Sequence, residues 1–362
     1  MSVIERNNAG PSGRQTTAHR KSFQKPQVVT LKTVAQHLGL TAGTVSAVLN
    51  DAPSARSIPQ QTQNRIRAAA QELNYRPNFF ARTLRNKRTY TIGVIAEEIG
   101  DSYGSAVISG IEQYLRKHNY FFLTVAHRHD PELLNQYSHI LSQRGVEGII
   151  TVDTTVYEVP AVPMVAVAGH TRVKGVTNIV LDHRRAAVLA LRHLRDLCHE
   201  RIAFMKGNPM SSDSKDRWDS ICRVAQEMGV QIAPELIVQL DSDDPTPMLG
   251  YPFAQQLLAR RKPFSALFAY NDLSAIGAMR AFQENGLRVP QDVSVIGFDD
   301  IPGAALQIPS LTTVRQPLNR MGQVAAQSLL ERIEGKKEYP AEIAIEPELI
   351  VRESTGKAPG YR

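Results

Sequence analysis

The stretch Thr30–Asn50, reading TLKTVAQHLGLTAGTVSAVLN, constrains the fold more than any other part of this 362-residue chain. Leu31, Val34, Ala35 and Leu38 fall at the i, i+3, i+4, i+7 spacing of a short amphipathic helix. Gly39 supplies the permissive backbone that ends such a helix, and Leu40 can plug the corner that follows. Thr41 is a good N-cap for a second helix over Ala42–Leu49, which keeps Val45, Val48 and Leu49 on one face. Two short helices joined by a tight glycine turn form a helix-turn-helix, whose second helix can lie in the major groove of DNA. Taken alone, the same pattern also suits a small helical corner with no ligand.

The distribution of charge decides between these readings. Residues 1–90 hold 14 Lys and Arg against 3 Asp and Glu, and the remainder holds 28 against 32. A basic head on a mildly acidic body is the asymmetry expected when one end meets phosphates. It coincides with the helix-turn-helix, so nucleic acid is the favoured partner. No run of 18 apolar residues could span a bilayer, so no membrane partner is expected. The polar first residues lack the apolar segment of a signal peptide, which predicts a cytoplasmic protein. Cys198 and Cys222 have no CxxC spacing, which argues against a zinc site or a disulfide framework and fits a reducing compartment.

Residues 1–27 are polar and carry Arg14, Arg20, Lys21 and Lys25; they read as a disordered basic tail. After the loop Asn50–Pro53, Ser57-Ile58-Pro59 opens a third helix over Gln60–Leu73, with Pro in its first turn and Ile66, Ala69, Ala70 and Leu73 facing inward. Asn78 can cap one further short helix reaching Arg85, ahead of the basic Asn86-Lys87-Arg88. An isolated helix of that length needs a surface to fold against.

From Tyr90 on, apolar strands alternate with helices. Strands are expected at Thr91–Ile95, Phe121–Val125, Gly148–Val152, Met164–Val167, Asn178–Leu181, Ile202–Met205, Leu236–Gln239, Ala266–Ala269 and Val293–Ile296. Helices are expected at Ala106–Lys117, Glu132–Gln143 and Arg184–Leu197. Such alternation predicts parallel doubly wound sheets, and the length suits two lobes. Ligands of such sheets bind at the C-terminal strand ends.

Several motifs, in this order along one chain, resemble the lactose-repressor/galactose-repressor (LacI/GalR) family of bacterial transcription regulators. They are TVAQHLGLTAGTVSAVLND, LNYRPNFFARTLRNKRTYTIGVI, CHERIAF, AYNDLSAIGAM, SVIGFDDIP, LTTVRQP and LIVREST, and they cover nearly everything after residue 28. After the disordered basic tail over 1–27, the resemblance implies three parts: a helix-turn-helix DNA-binding domain over 28–76, a hinge helix and linker over 77–89, and a two-lobed effector-binding and dimerisation core over 90–362. The implied fold class is α/β, a three-helix headpiece and hinge helix followed by a core resembling periplasmic sugar-binding proteins.

It further implies a homodimer on a palindromic operator in double-stranded DNA. In the family a hinge leucine wedges into the minor groove, and Leu84 holds that position, with Asn78 in the same DNA-binding segment. A wedge costs a few kcal/mol of unstacking, offset by the contacts that a bent duplex allows. Thr30, Thr41, Thr44, Ser46 and Asn50 fall on positions that mostly touch the DNA backbone, where hydroxyls and amides fix register without reading sequence. The base-reading positions hold Ala42, Gly43 and Ala47. These cannot make the bidentate guanine contact of an arginine, although a thymine methyl remains within their chemistry.

In the core, the resemblance places Tyr103, Arg217 and Asp272 at effector-contacting positions, with Asp182 and Asp213 as weaker candidates. Asp272 either accepts hydrogen bonds from a ligand or merely N-caps its helix. Arg217 offers a fork of donors or forms a surface salt bridge, and Tyr103 stacks on a ligand or simply packs. Ala168-Gly169-His170 replaces the acidic residue that relatives often carry after the fourth strand. The adjacent Asp299-Asp300 reads as a turn former or a lobe-to-lobe bridge rather than as acid–base machinery. There is no GxxxxGK[ST] or HExxH, so neither catalysis, a cofactor nor a metal is expected. The expected function is an operator-binding regulator acting as a repressor in the family's manner, controlled by a sugar, sugar phosphate or nucleobase. The competing reading is a carbohydrate-binding protein of the periplasmic type with an incidental basic N-terminus.

Overall fold

The computed structural model describes residues 29–76, 83, 87–100, 102–156, 161–169, 172–209, 213–241, 246–335 and 340–360. In the expected hinge segment, residues 77–82 with Asn78 and 84–86 with Leu84 lie outside these residues, as do the tail 1–27 and His170. The chain divides into two compact units, Met1–Lys87 and Arg88–Arg362.

In the first unit α1 (Leu31–Leu38) and α2 (Ala42–Leu49) fall where the periodicity places them. Thr30 caps α1 by accepting from the Thr33 amide at 3.2 Å, and Thr41 caps α2 by accepting from the Thr44 amide at 3.1 Å. Gly39 adopts φ 66°, a left-handed conformation that frees its amide to bond back to the Ala35 and Gln36 carbonyls. α3 spans Gln60–Glu72, with Pro59 before the first turn rather than inside it, and a short 3₁₀ turn at Pro53–Ser57 occupies part of the expected loop. Val34, Val45, Val48 and Ile66 are fully buried and form the centre of this small core.

The second unit holds two six-stranded sheets. The first has the order β11-β5-β4-β3-β1-β2 and the second β12-β10-β9-β8-β6-β7. The strands of the first sheet are β1 (Thr91–Ala96), β2 (Phe121–Ala126), β3 (Gly148–Val152), β4 (Met164–Val167), β5 (Thr177–Leu181) and β11 (Glu342–Ile345). Those of the second are β6 (Ile202–Lys206), β7 (Ile237–Gln239), β8 (Ala266–Phe268), β9 (Ser294–Asp299), β10 (Thr312–Arg315) and β12 (Glu348–Ile350). All neighbours run parallel except β10 and β12, which pair antiparallel. Strands β1, β3, β4 and β5 are buried along their whole length, as continuous apolar runs in a doubly wound sheet should be.

The chain passes between sheets after β5, after β10 and after β11. The returning elements β10, β11, β12 and the helix Leu318–Ile333 were not expected from periodicity. The longer helices are α4 (Ser102–Lys117), α5 (Pro131–Gln143), α6 (His183–Asp196), α7 (Ser214–Met228), α8 (Tyr251–Ala259), α9 (Asp272–Glu284) and α10 (Leu318–Ile333). α4 and α10 cross backbone to backbone: a Cβ on Gly110 would lie 1.9 Å from the Asn319 carbonyl oxygen, and one on Gly322 2.1 Å from that of Val107. α4 starts four residues before its apolar periodicity does, which places Tyr103 on its first turn.

Candidate functional site

Parallel strands deliver their C-terminal ends, and the loops beyond them, to one side of each sheet. In the second unit these ends line a shared cavity of about 460 Å³. The first lobe contributes Glu97 and Glu98 after β1, Arg128 and His129 after β2, Asp153 after β3, and Tyr103 from α4. The second lobe contributes Asn208 after β6, Tyr270 and Asn271 after β8, Asp299 at the end of β9, and Asp213 and Arg217 at the start of α7.

Arg217 is 5% exposed, and its guanidinium is clamped between two rings, 3.9 Å from the Phe298 centroid and 4.5 Å from that of Tyr270. Nη1 donates to the Tyr270 carbonyl at 2.6 Å and Nη2 to Asp213, while Nε has no hydrogen-bond partner among the described residues. Burial works against the charge, but Asp213, Tyr270 and Asp299 together outweigh it and make Arg217 more basic than usual. Asp213 also bonds His183 Nε2 at 2.7 Å, which ties α7 to the first residue of α6, just past the first crossing between lobes.

The Tyr103 hydroxyl is buried without a partner among the described residues. Burial first, then the carboxylates of Asp153, Asp213 and Asp299, push its pKa well above the usual value, so it stays a neutral donor. Asp299 is held well above the ordinary carboxylate range by burial, with Arg217 pulling it down and Asp272 pushing it up. The Gln316 amide donates to Asp299 at 2.6 Å. Arg128 (φ 49°), His129 (φ 61°), Asp153 (φ 49°) and Asp299 (φ 106°) all have left-handed backbones. Conformations of that kind cost about 1–3 kcal/mol each and gather at ligand sites.

The structure thus brings Tyr103, Asp213 and Arg217 together and sets two other candidates apart. Asp272 is fully buried: Oδ1 accepts from the Thr313 hydroxyl at 2.6 Å and Oδ2 from the Ile301 amide at 2.8 Å. It does not line the cavity, nor is it the N-cap, because Asn271 holds that position by accepting from the Ser274 amide at 2.9 Å. Its place is one layer behind the wall, where it ties the start of α9 to the loop after β9. Burial raises its carboxyl to about 7, against the pull of Thr313 and the Ile301 amide. Asp182 is also off the wall; it caps α6, accepting from the Arg185 amide at 2.8 Å. Asp153, Asp299 and Asn271 line the cavity without having been singled out for it, although the rule of strand ends points to all three. The two adjacent carboxylates Asp299 and Asp300 differ in role. Asp300 binds Arg315 at 2.7 Å and Arg352 at 2.6 Å, while Asp299 faces the cavity.

On the headpiece, Ala42 and Gly43 are exposed at the start of α2. The hydroxyls of Thr41 and Thr44 lie 2.9 Å apart, and the Asn50 amide donates to the Ser46 carbonyl at 2.7 Å. Ala47 is half-buried and leans on the headpiece core.

Residues 30–78 match the family described as bacterial regulatory proteins, lacI family, and residues 191–355 match the periplasmic binding protein-like domain. The HTH-type transcriptional repressor PurR of Haemophilus influenzae is 31% identical over 342 residues, covering 90% of this chain and 98% of that protein. PurR of Yersinia pestis bv. Antiqua is 31% identical over 341 residues, covering 92% and 98%. Among solved structures, the lac repressor dimer bound to operator and the anti-inducer ONPF superposes with a TM-score of 0.80 at 26% identity, covering 91% of this chain and 99% of that one. The complex of the transcriptional regulator CelR with cellobiose superposes with a TM-score of 0.66 at 26% identity, covering 90% and 99%.

Proposed function

Because the chain belongs to the lacI family of bacterial regulatory proteins, a family of DNA-binding transcriptional regulators, we propose that it is a cytoplasmic repressor switched by a small molecule in the inter-lobe cavity. The observation that carries this reading is one cavity lined from both lobes, in a chain that also carries a capped helix-turn-helix. The relatives are named as transcriptional repressors, and no enzymatic role is proposed.

On DNA, Thr30, Thr41, Thr44, Ser46 and Asn50 meet phosphates near each half-site, and the small exposed Ala42 and Gly43 let α2 approach the base edges closely. Leu84 and Asn78 act at the centre of the operator. In the core, a ligand held by Tyr103 on one lobe and by Arg217 and Asp213 on the other links the lobes, so its affinity depends on how far they close. Asp272 and Asp182 act as positioning residues. Such coupling is reciprocal: operator DNA changes ligand affinity by the same factor as ligand changes operator affinity.

The test begins with a thermal-shift screen of the full chain against sugars, sugar phosphates and nucleobases. A ligand at ~100 times its dissociation constant adds about 2.7 kcal/mol of stability. Any hit is then titrated into a complex of the full chain with its selected duplex. The reading requires a change in operator affinity that disappears in Arg217→Met. A ligand that stabilises the core and leaves operator affinity untouched would count against it.

A further inference from the structure

A side chain that reads a base pair by two hydrogen bonds in the major groove must carry a fork: arginine for guanine, asparagine or glutamine for adenine. α2 carries none. Its eight residues, AGTVSAVL, include no amide and no charge. The amide at its end, on Asn50, is engaged with the Ser46 carbonyl at 2.7 Å and the Ser46 hydroxyl at 3.2 Å. The helix offers the groove small surfaces and methyl groups, and a fork has to come from beside it.

The first arginine after α2 is Arg56, on the 3₁₀ turn Pro53–Ser57, and that turn is fastened to the helix. The Ala52 amide donates to the Ala47 carbonyl at 2.9 Å and the Asp51 amide to that of Val48 at 3.2 Å, so the chain folds back along the last turn of α2. Ala55 is 7% exposed and belongs to the headpiece core. Gln63 of α3 donates to the carbonyls of Ala55 and Ile58, each at 3.0 Å, and the Ser57 hydroxyl donates to the Ser54 carbonyl at 2.8 Å. Arg56 thus stands exposed on a backbone held from both sides.

Its guanidinium is also unengaged. The acidic residue of this loop, Asp51, binds Arg67 at 3.1 Å instead, which leaves Arg56 without a hydrogen bond or ion pair among the described residues. Lys32, Arg65 and Arg76 are likewise exposed, but they lie in the first turn of α1, midway along α3 and beyond its end, outside the segment fastened to α2.

We infer that Arg56 reads a guanine in each half-site, supplying from the turn the fork that Ala42, Gly43 and Ala47 do not supply from the helix. This rests on the reading of the chain as an operator-binding dimer. The two features act together. Small residues at 42 and 43 let α2 sit deep in the groove, which brings the turn bonded to its last residues down toward the base edges. A planar guanidinium on a fixed backbone loses little freedom on forming two parallel hydrogen bonds to guanine.

The experiment uses the full chain and a duplex enriched by it from a random pool. Affinities of the parent protein and of Arg56→Ala are measured by fluorescence anisotropy on that duplex and on its single base-pair variants, over a salt series. Arg56→Ala should bind the enriched duplex about tenfold or more weakly. Replacing one G·C pair per half-site should weaken the parent by a similar factor and leave the Arg56→Ala affinity where it was. The salt slope should match the parent's, and circular dichroism and melting should not change, because the side chain is exposed. Selection repeated with Arg56→Ala should return a site in which that pair varies freely.

An equal loss on every duplex, with a slope shallower by about 0.9 for each Arg56 removed, would make the residue a phosphate contact and overturn the inference. Unchanged affinity would make it a solvated charge and overturn it as well. If the parent protein enriches no duplex, the operator reading falls and the inference with it. A two-fold site that holds no pair dependent on Arg56 sinks the inference alone.

Discussion

Replacing Asp213 with asparagine should destabilise the core by about 3 kcal/mol and leave the headpiece intact. Asp213 and Arg217 are each 5% exposed, and the guanidinium is sealed between Phe298 and Tyr270. Removing one partner of a buried pair leaves the other charge uncompensated, at a cost of about 3–5 kcal/mol. The lower end applies because the asparagine oxygen still accepts from Nη2 and the Tyr270 carbonyl still accepts from Nη1 at 2.6 Å. The bond to His183 at 2.7 Å is weakened in the same step. For a unit of this size about 3 kcal/mol corresponds to a fall in Tm of roughly 6 °C. Differential scanning calorimetry of the full chain reads it directly. The double variant Asp213→Leu/Arg217→Met removes both charges and should recover much of the loss, because an apolar replacement of a buried pair is often close to neutral. A loss below about 1 kcal/mol for Asp213→Asn, or a double variant no more stable than the single, would refute the argument that this pair is buried and mutually dependent.

Four further outcomes are expected. Burial raises the Asp272 carboxyl to about 7 in the folded chain, above its ordinary value of 3.8, so between those values the native chain holds a proton that the unfolded chain has lost. Its contribution to stability therefore falls as pH rises through that window, by at most about 1.4 kcal/mol per unit. In urea melts the disadvantage of Asp272→Asn should accordingly shrink from mildly acidic to mildly alkaline pH; a disadvantage that grows would contradict the assignment. Gly110→Ala places a Cβ 1.9 Å from the Asn319 carbonyl and should force α4 from α10, costing about 3 kcal/mol and lowering Tm. Thr41→Ala removes the cap of α2 and should cost the headpiece about 1 kcal/mol, seen as faster hydrogen exchange of the α2 amides with the core amides unchanged. Leu84→Ala should weaken operator binding by about tenfold or more while ligand affinity of the core stays constant, measured by fluorescence anisotropy and calorimetry.

What could be read from sequence follows a physical division. α1 and α2 were legible to the residue because local periodicity, two threonine caps and a glycine turn agree there. The buried strands of the core were legible as apolar runs between helices. β11 and β12 were not, because each is three or four residues long, begins with glutamate, and acquires meaning only from a partner far away in the chain. The site divides in the same way. Arg217 and Tyr103 lie at element starts beside the strand ends, where topology delivers them. The burial of Asp272 depends on Thr313 and on the Ile301 amide, which no local pattern around AYND announces. Which of two neighbouring polar residues caps the helix, and which turns inward, is decided by those distant partners. Asp299 and Asp300 repeat the lesson: identical residues in sequence, one aimed at the cavity and the other locked to Arg315 and Arg352.

The most direct test of the central claim is selection of duplexes from a random pool by the full-length chain, followed by affinity for the enriched duplex across a salt series. A dimeric helix-turn-helix regulator predicts enrichment of a two-fold symmetric site, with log affinity falling by about 0.9 per phosphate contact for each decade of salt. Several contacts per half-site make that slope steep. No symmetric enrichment together with a flat salt dependence would contradict a DNA-binding role and leave the cavity as the protein's business on its own.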